Sequence, residues 1–105
     1  MKTTRDDLVI RAMALAHMVN QYTEYCVFVN YSGHVQSMEI RISQSKQLYS
    51  LTVLETEFYT AYKQHSGPDA EIQAKIDVLS KILHEKLVPF DDLEYTESIV
   101  KKYTF

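Results

Sequence analysis

One stretch, residues 25–42, constrains the fold of this chain more than any other part of its sequence. Two runs rich in apolar and β-branched residues flank the dipeptide Ser32-Gly33. Ser-Gly is a common turn signal, and such runs on either side of it are typical of paired strands. We therefore predict a β-hairpin with strands at residues 25–31 and 34–42.

The position of the turn sets the register of the hairpin. With Ser32 and Gly33 at its centre, Tyr31 faces His34, and the next pairs are Val29 with Gln36, Val27 with Met38 and Tyr25 with Ile40. One face then carries the apolar residues Tyr25, Val27, Val29, Met38, Ile40 and Ile42, while Phe28 joins a mixed face. This contrast is typical of an antiparallel sheet that helices cover on one side. A three-residue loop, which sets Phe28 against Met38, is the alternative register.

Helices are predicted on both sides of the strands. The first covers residues 1–20, with Thr3 or Thr4 as its N-cap and acidic residues in its first turn. The second starts at Pro68 and stops before Pro89, because the residue before a proline disfavours helical geometry. Its apolar stripe recurs at helical spacing: Ile72, Ile76, Leu79, Leu83 and Leu87.

A third strand is predicted at residues 48–55, which are rich in β-branched and aromatic residues. Residues 56–64 fit either a helical turn or an extension of that strand. The tail is compatible with a last short helix that Asp91 caps, with an apolar side of Leu93, Ile99, Val100 and Tyr103. We expect one α+β domain over residues 1–105: a small antiparallel three-stranded meander with helices packed on one face, in the order α-β-β-β-α.

The first helix is apolar nearly all round. Between residues 8 and 19 only Arg11 and His17 are polar. Such a helix is buried on more than one side, and one small sheet covers only one side. Either the second helix or another copy of the chain covers the rest. In the second case the chain is a homo-oligomer with these candidate interface residues: Val9, Ile10, Met13, Ala14 and Met18.

Charge and cysteine content exclude several classes of function. The net charge of −3 argues against duplex nucleic acid, whose binding depends on neutralising phosphates. Cys26 is the only cysteine, so no intrachain disulfide forms. No signal peptide is evident, and the apolar run of the first helix is too short to span a bilayer. We expect a cytoplasmic protein without membrane contact.

No catalytic or metal-binding pattern stands out. None of the four histidines lies at metal-ligand spacing from another histidine or from Cys26. Gly33 and Gly67 are the only glycines, so the chain lacks a glycine-rich phosphate loop. A Cys26–histidine pair would need an orienting group and an oxyanion donor, and none can be named. We expect no enzyme, no metal and no cofactor.

Candidate binding residues cluster around the hairpin turn. His34 adjoins the turn beside Tyr31, with Asn30 nearby, and turns carry function more often than strands do. Tyr25, Tyr31 and Phe28 on a sheet would also suit stacking of single-stranded bases. Without a basic groove, we favour tyrosines that lodge at the edge of a core or an interface. The candidates are His34, Tyr31, Asn30, Tyr25 and Phe28.

The run Phe28-Val-Asn-Tyr-Ser-Gly-His-Val-Gln-Ser-Met-Glu-Ile-Arg-Ile42 resembles a segment of small phage and prophage proteins. Those proteins place a similar Tyr/Phe-Ser-Gly-His-Val turn between two strands. The resemblance covers only the hairpin, and it implies a phage or prophage origin and an accessory role on a host or phage partner. Our hypothesis is a non-enzymatic, homodimeric interaction protein that binds another protein. A binder of single-stranded nucleic acid is the alternative.

Overall fold

The computed structural model describes residues 3–63, 66–86, 94–96 and 102–105. Its elements, in chain order, are helix α1 (Thr4–Tyr22), strands β1 (Cys26–Ser32), β2 (Ser37–Ser43) and β3 (Thr52–Tyr59), helix α2 (Asp69–Glu85), and the short strands β4 (Glu94–Thr96) and β5 (Lys102–Thr104). Strands β1, β2 and β3 form an antiparallel meander between the two helices. This arrangement confirms the predicted α+β fold.

The sheet is wider than the predicted meander. Its strand order is β1-β2-β3-β5-β4, with β5 parallel to β3 and antiparallel to β4. Strand β1 therefore lies at one edge of the sheet, whereas β5 covers part of β3. The described parts of the tail are strands, while Asp91, Leu93, Ile99 and Val100 of the predicted last helix lie outside the described residues.

The predicted hairpin register is wrong. Val29 pairs with Ile40 and Tyr31 pairs with Met38. The turn occupies residues 33–36 and is therefore not centred on Ser32-Gly33. Contacts distant in sequence hold this turn. The Gln36 carbonyl accepts hydrogen bonds from the Thr60 main-chain N–H (2.8 Å) and from its hydroxyl (3.0 Å). The alternative pairing of Phe28 with Met38 does not form either, since Phe28 faces Arg41.

The predicted division of the hairpin into faces is confirmed, because the register moved by an even number of residues. The inner face consists of three cross-strand rows: Val27–Ile42–Leu54, Val29–Ile40–Thr56 and Tyr31–Met38–Phe58. Both helices contribute to the same core, through Leu8, Ala12, Ala16 and Val19 of α1 and Ile72, Ile76, Leu79 and Ile82 of α2.

The third strand begins four residues later than predicted. Residues 48–51 are exposed in a loop, although they are rich in apolar side chains. Leu54, Thr56 and Phe58 alternate so that each meets a buried residue of β2, and this pairing decides the bounds of the strand. Of the two predictions for residues 56–64, the extended one holds as far as Tyr59.

The ends of α1 are closed by side chains. Thr3 and Asp6 form a reciprocal capping box at its start, as the sequence predicts. Its last turn carries no basic residue. Instead, Lys46 donates from Nζ to the carbonyl oxygens of Asn20 (2.7 Å), Thr23 (3.1 Å) and Tyr25 (2.7 Å). A cation at this position suits the negative end of the helix dipole.

Candidate functional site

Strand β1 has an open edge. The Val27 N–H donates to Asn20 Oδ1 (3.0 Å), so the main-chain groups of Val27 point away from β2. Because successive residues of an antiparallel strand alternate in direction, those of Val29 and Tyr31 point the same way. Within the described residues, no hydrogen bond reaches the main-chain N–H and C=O groups of Val29 and Tyr31. They are ready to pair with another strand.

The charge pattern around this edge is the reverse of the usual one. Exposed edge strands normally carry charges, prolines or bulges that prevent pairing with other chains. Residues 25–38 contain no Asp, Glu, Lys, Arg or Pro. The charged side chains of the meander lie instead on the outer face of the interior strands, at Glu39, Arg41, Glu55 and Glu57. Nothing in β1 protects its edge.

An apolar helix surface lies beside the open edge. Ile10 is 53% exposed and Met13 is 45% exposed. Shallow grooves between α1 and β1 bring Ile10 next to Tyr31, and Met13 next to Val29. We call this set, Ile10, Met13, Val29 and Tyr31, the α1–β1 surface. Polar side chains, among them Asp6 and His17, line the same grooves, so the surface combines exposed apolar groups with a polar border, as interaction sites do.

The other predicted interface residues also lie on α1. Ala14 and Met18 are exposed, and helical spacing places them one and two turns beyond Ile10. Val9 is half-buried and packs on the core. Helix α1 is therefore covered by its own domain along one stripe and is open along another.

The structure separates the predicted binding residues. Tyr31 lies on the inner face of the sheet, whereas Asn30 and Phe28 lie on the outer face. His34 is exposed in the turn, and Tyr25 is half-buried before β1 begins. The Phe28 ring stacks under the Arg41 guanidinium, 5.1 Å from its centroid. The aromatic residues of the hairpin therefore do not share one stacking surface.

The outer face is held by polar contacts. Asn30 donates from Nδ2 to Glu39 Oε1 (3.3 Å), and Arg41 Nε lies 3.3 Å from the same oxygen. The Arg41 N–H is not aligned with that oxygen, so this is an ion pair without a hydrogen bond. Glu39 also sits directly opposite Glu57, a like-charge pairing that destabilises a sheet. Arg41 offsets part of that repulsion.

A buried arginine connects three segments of the chain near the start of α1. Arg5 is only 2% exposed, and its Nε donates to Asp69 Oδ1 at 2.8 Å. Its two terminal nitrogens donate to three main-chain carbonyls, those of Tyr59, Ala61 and Gly67. The guanidinium thus ties the first turn of α1 to the end of β3 and the start of α2. We call this set the Arg5 junction.

Tyr62 completes the Arg5 junction. Its ring lies under the Arg5 guanidinium, 4.8 Å from the centroid, and its hydroxyl donates to Asp69 Oδ2 (2.9 Å). The hydrogen bond to this carboxylate raises the pKa of Tyr62, and Arg5 opposes part of that rise. Sequence reasoning missed Arg5, although it stands three residues before Leu8, on the buried stripe of α1.

A pocket of about 450 Å³ opens beside the Arg5 junction, between α2 and the end of β3. Lys75 lines it and donates from Nζ to Thr56 Oγ1 and to the Phe105 main-chain oxygen, both at 2.7 Å. Burial lowers the pKa of Lys75, and the Glu71 charge partly opposes this. Arg5 and Lys75 already bond groups of their own chain, so they hold the fold together.

No group of three or more His, Cys, Asp and Glu side chains within the described residues could hold a metal ion. None of the described helices is long and apolar enough to cross a bilayer. No protein-family model, curated protein or solved structure matches the chain. The α1–β1 surface is therefore the feature on which a functional proposal rests.

Proposed function

We propose that this chain is a non-enzymatic interaction protein that works as a homodimer through the α1–β1 surface. One observation carries the proposal: a strand edge without charges lies open beside the exposed apolar side chains Ile10 and Met13 of α1. A second copy would cover both parts at once. The strand edge and the helix of one copy would then meet the same elements of the other, as in an isologous two-fold dimer.

The two parts of the surface contribute differently to binding. Apolar burial stabilises by about 25 cal/mol per Å², so Ile10 and Met13, each half-exposed, would contribute about 1 kcal/mol apiece in each copy. Association costs roughly 4–15 kcal/mol in lost translational and rotational freedom. The four side chains together, about 4 kcal/mol, reach only the lower end of this cost. Main-chain pairing at Val29 and Tyr31 is needed as well, and it also fixes the orientation of the copies.

A homodimer of this kind leaves the outer face of the sheet free for a protein partner. Asn30, Glu39 and Glu57 lie on that face, which neither helix covers. The resemblance of residues 28–42 to phage and prophage hairpins supports an accessory role on a host or phage protein. The half-buried lone Cys26 and the absence of a disulfide are consistent with a cytoplasmic location.

Sedimentation equilibrium of the full chain tests the proposal. We expect the wild type to be a dimer at micromolar concentration and Met13→Glu to weaken dimerisation at least about tenfold, because it buries a charge in an apolar contact. Ala74→Glu is the matched control, since it adds the same charge at an exposed position of α2. A monomeric wild type at high micromolar concentration would contradict the proposal.

The alternative, a binder of single-stranded nucleic acid, gains no support from the geometry. Base stacking needs aromatic rings on one surface, whereas Tyr31 and Phe28 lie on opposite faces of the sheet. A fluorescent mixed-sequence oligonucleotide separates the two hypotheses. Tight binding that Tyr31→Ala abolishes would favour nucleic acid, and no binding at low salt would leave the interaction protein as the proposal.

A further inference from the structure

The open part of β1 is short and has defined ends. Towards its start, Lys46 occupies the Tyr25 carbonyl and Asn20 occupies the Val27 N–H, so both outward-facing positions are partly used. Towards its end, β1 stops at Ser32 and the turn begins. Between these ends lie Val29 and Tyr31, whose outward-facing N–H and C=O groups are both open as far as the described residues are concerned.

These limits select one register for a second copy. We propose that Val29 of one copy pairs with Tyr31 of the other, so that the two-fold axis passes beside Asn30. The inference rests on the proposed homodimer and specifies it. In an antiparallel ladder two N–H···O=C bonds join such a pair. Because the two-fold axis relates the two copies, the Val29–Tyr31 pair occurs twice in the dimer. All donors and acceptors used are open among the described residues of the single chain.

The two neighbouring registers find fewer open main-chain groups for hydrogen bonds between the copies. Centring on Val29 sets Val27 against Tyr31 of the second copy and requires the Val27 N–H, which Asn20 already holds. Centring on Tyr31 sets Val29 against Gly33, which belongs to the turn. Asn20 therefore acts as a positioning residue, since it excludes the register one step away.

The occupant is a second copy rather than a foreign strand. A foreign strand would satisfy the main-chain groups of Val29 and Tyr31 but would leave Ile10 and Met13 exposed. A second copy brings its own α1 to the same side of the extended sheet, so its Ile10 and Met13 cover those of the first. The absence of charge over residues 25–38 allows like strands to meet without repulsion.

Engineered disulfides test the register. In the full chain with Cys26→Ala, Asn30→Cys would place the two new thiols directly opposite each other at a non-hydrogen-bonded pair. The Cα atoms there lie roughly 4.5 Å apart, within the range that a disulfide spans. Ser32→Cys is the matched control, because this position is also exposed on the same face but lies opposite Phe28 of the second copy. We expect roughly tenfold more cross-linked dimer for Asn30→Cys under oxidised glutathione.

The outcomes separate the register from the dimer itself. Equal cross-linking of both variants, or cross-linking of Ser32→Cys alone, overturns the register. Cross-linking of a Phe28→Cys and Asn30→Cys mixture, without Asn30→Cys homodimers, would establish the register centred on Val29 instead. If neither variant cross-links while sedimentation shows a dimer, the register fails and the homodimer stands. If sedimentation shows monomers, both fail.

Discussion

The two outer edges of the meander, along β3 and along β1, differ in how far other parts of the chain bond to them. Along β3, strand β5 pairs with Leu54 and Glu55, and the Glu55 carbonyl accepts a hydrogen bond from the Phe105 N–H (3.2 Å). At the end of β3 and just after it, the Arg5 guanidinium donates hydrogen bonds to the carbonyls of Tyr59 and Ala61. Along β1, Asn20 and Lys46 occupy main-chain groups of Val27 and of Tyr25 before it, while those of Val29 and Tyr31 are open to the extent that the structure describes the chain. The chain closes one edge with its own groups and leaves the other available.

Charged side chains are distributed differently beside the two edges. On the β3 side, the buried cation of Arg5 and the half-buried cation of Lys75 bond main-chain and hydroxyl oxygens of distant segments. On the β1 side residues 25–38 contain no Asp, Glu, Lys or Arg, and the neighbouring helix surface exposes Ile10 and Met13 beside Asp6 and His17. Arg5 and Lys75 thus hold the β3 side together, whereas beside β1 the charge of Lys46 is used at the start of the strand, on the carbonyls of Asn20, Thr23 and Tyr25. The largest expected effects lie on the β3 side.

Arg5→Met should cause the largest loss of stability. It leaves Asp69 without its cation and three carbonyls without their donor. Breaking a buried ion pair costs about 3–5 kcal/mol, and we expect the lower end because Asp69 is 31% exposed and keeps the Tyr62 hydrogen bond. Urea denaturation at one protein concentration measures the loss. Arg11→Met is the control, because Arg11 is exposed on the same helix and should change the unfolding free energy by less than about 0.5 kcal/mol. Equal losses of stability in both variants would show that the Arg5 junction does not stabilise the fold.

Lys75→Met should change how stability depends on pH. The pKa of Lys75 is lowered in the folded chain from its usual 10.5, so between these two values the unfolded chain binds more protons. The unfolding free energy of the wild type therefore gains a component that rises with pH across that window, and the variant lacks it. The difference in urea midpoint between wild type and variant, followed from neutral pH to 10.5, measures this. A difference that falls with pH would contradict the assignment.

The parts of the fold that follow local rules could be predicted from the sequence, whereas those fixed by distant contacts could not. The capping box at Thr3 and the apolar stripe of α2 depend on neighbours three or four residues away. The turn of the hairpin depends instead on Thr60, whose N–H and hydroxyl hold the Gln36 carbonyl. No local pattern reports that contact, so the Ser32-Gly33 signal placed the turn too early.

The candidate site divides in the same way. Exposed apolar residues on α1, such as Ile10 and Met13, follow from a helix that is apolar nearly all round. The open edge of β1 does not follow from the sequence, because it depends on which strand lies outermost in the sheet. The hydrogen bond from the Val27 N–H to Asn20 could not be predicted for the same reason, since it joins the helix to the strand.

Asn20→Ala should cost less than Arg5→Met, about 0.5–1.5 kcal/mol, because one part-buried hydrogen bond is lost. It also frees the Val27 N–H, so cross-linking should spread from Asn30→Cys to the mixture of Phe28→Cys and Asn30→Cys. Gln21→Ala, at an exposed position of the same helix, is the control for stability. Unchanged cross-linking with Asn20→Ala would show that Asn20 does not select the register.

Gly67→Ala should have the smallest effect. A Cβ at this position would collide with the Glu71 carboxylate, which is the movable end of a flexible side chain. Gly67 has no positive φ, so alanine fits the backbone and stabilises by about 0.4–1 kcal/mol through the unfolded state. The two effects should nearly cancel. In a Glu71→Ala background the same substitution should become stabilising, and thermal denaturation of the four variants measures this coupling.

Val29→Pro tests the central claim, that the open edge of β1 is the dimer interface. The Val29 N–H points away from β2, so proline removes a donor for the second copy without removing a bond of the meander, and edge strands tolerate proline. Sedimentation equilibrium, with far-ultraviolet circular dichroism as the check of folding, should give a dimer for the wild type and a folded monomer for Val29→Pro. A folded variant that dimerises as tightly as the wild type would contradict the account.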